Sequence, residues 1–180
     1  MKREDLEHII RAACDIAGDD EIYVFGSQAI LGQYPDAPAS LRFSAEADVW
    51  PRNRVERGEY LNAIGEDSPF HRQFGYYVHG VPITEAAKLP KNWAMRTVPV
   101  RTRSTSGKTA YCLEAHDLAA SKLAAYREKD RAFVRILLAE RLVRPRKLVA
   151  RIRLLPVEPK ERDRLVKWID VTVRELDAST

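Results

Sequence analysis

Residues 21–50 read EIYVFGSQAILGQYPDAPASLRFSAEADVW, and the patterns within them indicate the fold class. Its first five residues, Glu21–Phe25, form an apolar and aromatic run that is typical of a buried strand, and the run stops at Gly26. The residues from Ser27 to Gly32 predict a helix, with Ser27 placed to cap it. A strand, a Gly-Ser turn and a helix are therefore expected in direct succession.

A second strand is predicted over residues 45–50, after a loop that contains two prolines. Side chains alternate between the two faces of a strand, so Glu46 and Asp48 share one face. The residues between and after them, Ala47 and Val49, are apolar and share the other face. This strand therefore presents two carboxylates side by side.

The remaining chain shows a mixture of helical and strand patterns that gives way to helices alone. Apolar residues recur with helical spacing from Leu6 to Ala17, and Gly18 follows as a C-cap. A helix over 55–64 and strands over 74–81, 95–100 and 109–113 are predicted next. We therefore predict an α/β (α+β) protein with a core over residues 1–113 and a helical C-terminal portion over 114–180, packed on that core.

Composition restricts the class of protein. Of the 180 residues, 45% are hydrophobic and 31% are charged, which is typical of a globular chain. No apolar run reaches the roughly 20 residues that span a bilayer, and the charged start at Met1–Asp5 lacks an apolar leader, so we predict a cytoplasmic protein without a membrane partner.

Cys14 and Cys112 stand singly in apolar surroundings, which favours reduced thiols and excludes a structural zinc site.

Basic residues are concentrated at the C-terminal end. The net charge is +4, but residues 141–180 hold 11 basic and 6 acidic residues, or +5, which leaves 19 and 20, or −1, for residues 1–140. A basic appendage on a near-neutral body is an electrostatic footprint for nucleic acid. A solvated helix face has the same composition, so both interpretations stay open.

Two motifs in residues 21–50 carry the chemistry. Gly26 in the Gly-Ser turn permits close approach of a phosphate to the backbone. Glu46 and Asp48 on one strand face are the oxygen ligands that Mg²⁺ prefers. Their order on successive strands predicts a phosphate cradle beside a metal site, while the alternative is that the acid pair is only a polar strand face.

These motifs resemble those of the nucleotidyltransferase superfamily of the DNA polymerase beta type. Its signature is a hydrophobic residue, Gly-Gly or Gly-Ser, a helix, and Asp/Glu-x-Asp/Glu on the next strand. The chain is similar in particular to the AbiEii-like and MenT-like toxin nucleotidyltransferases of bacteria, whose second motif reads Arg-x-Ser-x-Asp-x-Asp. Arg42, Ser44, Glu46 and Asp48 fall on that pattern, and the likeness covers residues 20–50.

A later segment extends the resemblance more loosely. Residues 117–123 read DLAASKL, similar to the Asp-Leu-x-x-x-Lys-Leu of these enzymes, and Arg127 and Asp130 follow in a similar downstream region. The resemblance implies that Lys122 contacts a nucleoside triphosphate and that Asp130 supports it. It also implies the minimal fold of that superfamily, a mixed sheet flanked by helices, here with a C-terminal helical extension.

The resemblance implies an enzyme that transfers a nucleoside monophosphate from an NTP to an RNA, with a tRNA 3′ end as one candidate acceptor, or to a protein hydroxyl. Such an enzyme would act as the toxin of a toxin–antitoxin or phage-defence pair, with a cognate antitoxin as partner. Mg²⁺ is the implied metal, held by Glu46 and Asp48, and these two residues with Lys122 are the implied catalytic set. The implied nucleotide-binding residues are Gly26, Ser27, Arg42, Ser44, Lys122 and Asp130.

Three of these residues carry alternative roles. Ser44 either orients the carboxylates or caps their strand, and Arg42 either pairs with a phosphate or forms a surface salt bridge. Lys122 either neutralises the charge on the leaving group or is an ordinary solvated lysine on a helix. The chain also departs from the pattern of the superfamily at three points. The spacing from Ser27 to Glu46 is long, Glu46 replaces the commoner Asp, and no third acid stands at an obvious place on a later strand.

His79 and Glu85 are the alternatives to that third acid. The departures leave two other functions open. One is a catalytically inactive nucleotidyltransferase-like module that binds nucleotide, RNA or a protein partner. The other is a structural interaction domain in which the acid pair has no chemical role.

Overall fold

A five-stranded mixed sheet is the centre of the first of two units into which the chain divides. The structure is a computed structural model, and the residues described are 1–178. The first unit holds residues 1–86 and 96–114, and the second holds residues 87–95 and the chain from residue 115 onward. The mixed α/β class predicted from the sequence is confirmed.

The strands of the sheet follow the order β3-β2-β1-β5-β4. Their bounds are Glu21–Phe25 for β1, Glu46–Pro51 for β2, Tyr77–Gly80 for β3, Val98–Val100 for β4 and Thr109–Cys112 for β5. Strand β1 pairs antiparallel with β2 and parallel with β5, while β2 and β3 run parallel and β4 and β5 antiparallel. The two strands predicted from residues 21–50 are therefore neighbours in the middle of the sheet.

One face of the sheet is apolar and the other is polar. In β2, Ala47 and Val49 are fully buried, while Glu46 and Asp48 on the opposite face are partly exposed, as the alternation predicts. Helix α1, Arg3–Ala17, packs against β1, β2 and β3. Its apolar residues are buried, and Gly18 ends it with a left-handed φ of 61°.

Short helices complete the first unit. They are α2, Ile30–Gln33, α3, Pro69–Phe74, and α4, Ile83–Ala86, with 3₁₀ segments at Ser27–Ala29, Ala39–Leu41 and Val55–Ile64. A further 3₁₀ segment, Trp93–Arg96, begins in the second unit and ends at the first residue of the second part of the first unit. The helix predicted over 55–64 is thus of the 3₁₀ type. Gly58 lies so close to the Trp50 ring that a Cβ would stand 2.1 Å from it, and a glycine inside the segment disfavours an α-helix.

The strand predicted over 74–81 is shorter in the structure, because residues 69–74 form α3. The Ser68 side chain accepts a hydrogen bond from the backbone N–H of His71 at 3.1 Å, and Pro69 is the first helical residue. Gly75 ends the helix with φ 77°. These cap residues define a helix that leaves only Tyr77–Gly80 for the strand.

Four helices form the second unit: α5, Ala115–Ala125, α6, Glu128–Ala139, α7, Pro145–Ile152, and α8, Pro159–Ala178. Their core contains Leu118, Leu137, Leu148 and Leu165, each no more than 1% exposed. The amphipathic α8 has a charged outer face. Within residues 1–178, no helix combines the length and apolarity that a bilayer crossing requires.

Candidate metal and nucleotide site

The register between β2 and β3 brings three potential metal ligands together. Asp48 pairs with His79 and Glu46 pairs with Tyr77 across these parallel strands. The His79 Nδ1 atom lies 3.0 Å from Asp48 Oδ1 and 3.4 Å from Glu46 Oε1. One donor atom from each of Glu46, Asp48 and His79 lies within 4.8 Å of the others. The cluster is open to solvent, with His79 about half exposed and Asp48 the most buried of the three.

Two hydrogen bonds position Glu46. The hydroxyl of Tyr77 donates to Glu46 Oε2 at 3.1 Å, so the other carboxylate oxygen, Oε1, is the one that faces His79. The Ser44 hydroxyl accepts a hydrogen bond from the Glu46 backbone N–H at 3.1 Å and thus caps the start of β2. Burial and the charge of Glu46 raise the pKa of Tyr77 to about 12, so its hydroxyl keeps its proton and remains a donor at neutral pH.

Gly26 lies directly against the acid pair. Phe25, the last residue of β1, pairs with Asp48 across the antiparallel ladder. Gly26 follows with φ 69° and ψ −173°, a conformation essentially restricted to glycine. A Cβ at this position would stand 1.8 Å from Asp48 Oδ2. The Gly-Ser turn and the Asp48 carboxylate, separated by a long loop in sequence, are therefore in direct contact.

Ser27 does not cap the following helix, so this prediction is wrong. Gly26 occupies the cap position, and Ser27 is already the first residue of the 3₁₀ segment Ser27–Ala29. The reason is the sharp turn at Gly26, which starts the helical conformation one residue earlier than the sequence suggests. In the same segment Gln28 is fully buried, and neither its amide nitrogen nor its amide oxygen has a hydrogen-bond partner among the described residues.

The electrostatics of the cluster favour a cation. Burial raises the pKa of Asp48, and the neighbouring Glu46 carboxylate adds to this rise, while the hydrogen bond with His79 opposes it. Burial and the repulsion from Glu46 both make it unfavourable for the two carboxylates to be negatively charged together. A bound dication would remove this repulsion and stabilise both charges. Two carboxylate oxygens and one imidazole nitrogen form a donor set that fits a divalent metal.

The other residues predicted from the first unit lie outside this cluster. Arg42 is partly buried, and its Nε has no hydrogen-bond partner among residues 1–178. Glu85, one alternative to the missing third acid, is exposed on α4 and is not a member of the cluster. Of the two alternatives, the structure therefore brings only His79 to the acid pair.

Lys122 and Asp130 contact each other within the second unit. Asp130 is 1% exposed and accepts hydrogen bonds from Arg127 Nε at 2.6 Å and Lys122 Nζ at 3.2 Å. The Lys122 ammonium also lies 4.8 Å from the centre of the Phe133 ring. Burial alone would raise the pKa of Asp130, but its hydrogen bond with Arg127 and the charge of Lys122 outweigh burial and lower it. Asp130 thus fixes the position of the Lys122 side chain.

Most of the basic residues after position 140 are exposed. Arg151 is an exception, because it pairs with the buried Asp117 at 3.0 Å. Arg162 is a second exception, since it donates to the backbone carbonyls of Leu155 and Val157. The exposed members are Arg141, Arg144, Arg146, Lys147, Arg153, Lys160, Arg164, Lys167 and Arg174.

The comparisons with known proteins identify no relative: no protein-family model matches the chain, and neither does any curated protein or solved structure. Any assignment of function therefore depends on the site itself and on the resemblance of its motifs.

Proposed function

We propose that the protein is a metal-dependent nucleotidyltransferase that transfers a nucleoside monophosphate from an NTP to an acceptor hydroxyl. The observation that carries this proposal is the contact between Gly26 and Asp48, whose carboxylate fills the space over Gly26 and so lies beside the start of the Ser27–Ala29 segment. Because a phosphate bound at this turn would lie beside the carboxylates, a metal ion there would contact the same phosphate chain. That juxtaposition is the chemical requirement for the reaction.

The residues of the chain have distinct roles in this proposal. Glu46 and Asp48 would hold the metal, and Gly26 and Ser27 would bind the outer phosphates of the NTP. When bound, a divalent metal polarises the α-phosphate and neutralises the leaving pyrophosphate, and the resemblance implies Mg²⁺ for this role. The acceptor oxygen forms a bond to the α-phosphorus, the bond from that phosphorus to the bridging oxygen breaks, and the hydroxyl proton passes to solvent.

An RNA is the proposed acceptor, with a tRNA 3′ end as the first candidate. Nine exposed Lys and Arg residues after position 140 support an RNA partner, because phosphate contacts dominate affinity for nucleic acids. The roles of cytoplasmic toxin and of antitoxin partner, and the contact of Lys122 with the triphosphate, rest on the resemblance alone.

A comparison of three proteins tests the proposal. The wild type is incubated with each α-labelled NTP, a divalent metal and total RNA, beside a Glu46→Gln/Asp48→Asn variant that keeps the shape of both side chains. Glu85→Gln is the matched control, since it removes an exposed acid outside the cluster. We expect label transfer by the wild type and the control only.

Label on the protein instead of the RNA would overturn the RNA acceptor and leave the transfer reaction in place. Retained RNA binding without transfer from any NTP would oppose the reaction itself and favour the inactive binding module.

A further inference from the structure

Strand β3 lies beside the acid pair of β2, and two of its side chains face that pair. They are Tyr77 and His79, which pair with Glu46 and Asp48 in the parallel register. The Tyr77 hydroxyl is engaged as a donor to Glu46 Oε2. The imidazole of His79 lies beside both carboxylates and shares a proton with Asp48 through its Nδ1 atom, so a metal ion bound there would take the place of that proton.

The distances from the His79 imidazole to the two carboxylates match the spacing of neighbouring ligands around a metal ion. In a six-coordinate ion with bonds of about 2.1 Å, adjacent ligand atoms lie about 3 Å apart. The Nδ1 atom of His79 lies 3.0 Å from Asp48 Oδ1 and 3.4 Å from Glu46 Oε1. The hydrogen bond from Tyr77 and the contact with Gly26 fix the two carboxylates in this arrangement.

We propose that His79 is the third protein ligand of this site and that the site consequently selects a first-row transition-metal dication, represented by Mn²⁺, over Mg²⁺. The biological role of this metal site rests on the proposed nucleotidyltransferase function.

The selectivity follows from the donor set. Mg²⁺ strongly prefers oxygen ligands and loses its water reluctantly, so an imidazole in place of a carboxylate weakens its binding. Imidazole nitrogen suits Fe²⁺, Ni²⁺, Cu²⁺ and Zn²⁺, and affinity for N/O sites increases along the first-row series from Mn²⁺ to Cu²⁺. Mn²⁺ is the weakest member of that series and shares the preference of Mg²⁺ for oxygen ligands, so it is the most demanding probe of what the imidazole adds.

Titration of the metal-free full chain with Mn²⁺ tests this assignment. Loss of the free-ion electron paramagnetic resonance signal measures binding, competition with Mg²⁺ measures selectivity, and pulsed measurements detect an imidazole nitrogen bound to Mn²⁺. The variants are His79→Asp, which puts a carboxylate in place of the imidazole, and His79→Ala, which removes the ligand. Glu85→Ala is the control. His79 is 54% exposed on its side chain, so both substitutions are compatible with folding, which circular dichroism checks.

We expect the wild type and Glu85→Ala to show the nitrogen signal and to bind Mn²⁺ at least about tenfold more tightly than Mg²⁺. His79→Asp loses the nitrogen signal, and its preference for Mn²⁺ falls at least about tenfold, while His79→Ala loses affinity for Mn²⁺ by a similar factor. Absence of Mn²⁺ binding, absence of the nitrogen signal in the wild type, or unchanged selectivity in His79→Asp would each overturn the assignment.

The label-transfer assay separates this inference from the proposed function. Nitrogen-ligated Mn²⁺ without transfer from any NTP would leave the metal assignment intact and overturn the enzyme. Transfer supported by Mg²⁺ and unaffected in His79→Ala, without a nitrogen signal, would leave the enzyme intact and overturn the metal assignment.

Discussion

Replacing Gly26 with alanine adds one methyl group at the point where the Gly-Ser turn meets the acid pair. The new Cβ would stand 1.8 Å from Asp48 Oδ2 and 2.8 Å from the carboxyl carbon, so the carboxylate must move. The backbone at φ 69° and ψ −173° is also unfavourable for any residue that has a Cβ. The substitution therefore combines a conformational cost with displacement of a proposed metal ligand.

The magnitude follows from these two effects. Backbone strain of this kind costs about 1–3 kcal/mol, and forcing an extra carbon into a packed position costs about 1–3 kcal/mol more. Gly75 provides a matched control, because its φ of 77° is similar but nothing lies within 4 Å of a Cβ built there. Gly75→Ala should therefore cost only the left-handed backbone penalty, on the order of 1–2 kcal/mol.

Chemical denaturation and metal titration of both variants test this reasoning. We expect Gly26→Ala to lower the free energy of unfolding by about 2–6 kcal/mol and the metal affinity at least about tenfold. Gly75→Ala should keep the metal affinity of the wild type. If both variants lost the same stability and Gly26→Ala still bound metal normally, the close contact between the turn and Asp48 would be refuted.

Three further perturbations test separate features. Tyr77→Phe removes the hydroxyl that donates to Glu46 and should lower the affinity for Mn²⁺ about 10- to 100-fold while preserving the fold. An unchanged affinity in the titration would show that Tyr77 does not position Glu46. Gln28→Met replaces two unpartnered buried polar atoms and should hold or raise the free energy of unfolding, by up to about 3 kcal/mol; a clear loss of stability would contradict this. Asp130 has a lowered pKa in the folded state, so the stability it contributes is full above its unfolded pKa of about 3.9 and is lost as the pH falls through its folded value. Denaturation from pH 7 to pH 2 should thus show the gap between wild type and Asp130→Asn closing below about pH 4, and a constant gap would contradict that linkage.

The bounds of β1 and the face of β2 that presents the acid pair can be predicted from the sequence. The run Glu21–Phe25 matches β1 residue for residue, and the alternation in β2 places Glu46 and Asp48 on the partly exposed face. Both depend on patterns within one strand, where the period of two decides which side chains share a face.

Features that depend on pairing between distant segments cannot be predicted from local sequence patterns. The position of His79 beside Asp48 is set by the parallel register of β2 and β3, and no local pattern specifies that register. Sequence periodicity likewise does not record the 3₁₀ conformation over 55–64 or the close contact of Gly58 with Trp50. The sequence supports His79 as a candidate third ligand only through its position on a predicted strand after β2.

The most direct test of the central claim compares one NTP labelled at the α-phosphate with the same NTP labelled at the γ-phosphate. The full chain is incubated with each nucleotide, RNA and Mn²⁺ or Mg²⁺, and the products are separated by size. A nucleotidyltransferase retains the α-label on the acceptor and releases the γ-label as pyrophosphate, and the Glu46→Gln/Asp48→Asn variant does neither. Transfer of the γ-label, or no transfer of either label with any NTP and either metal, would contradict the account.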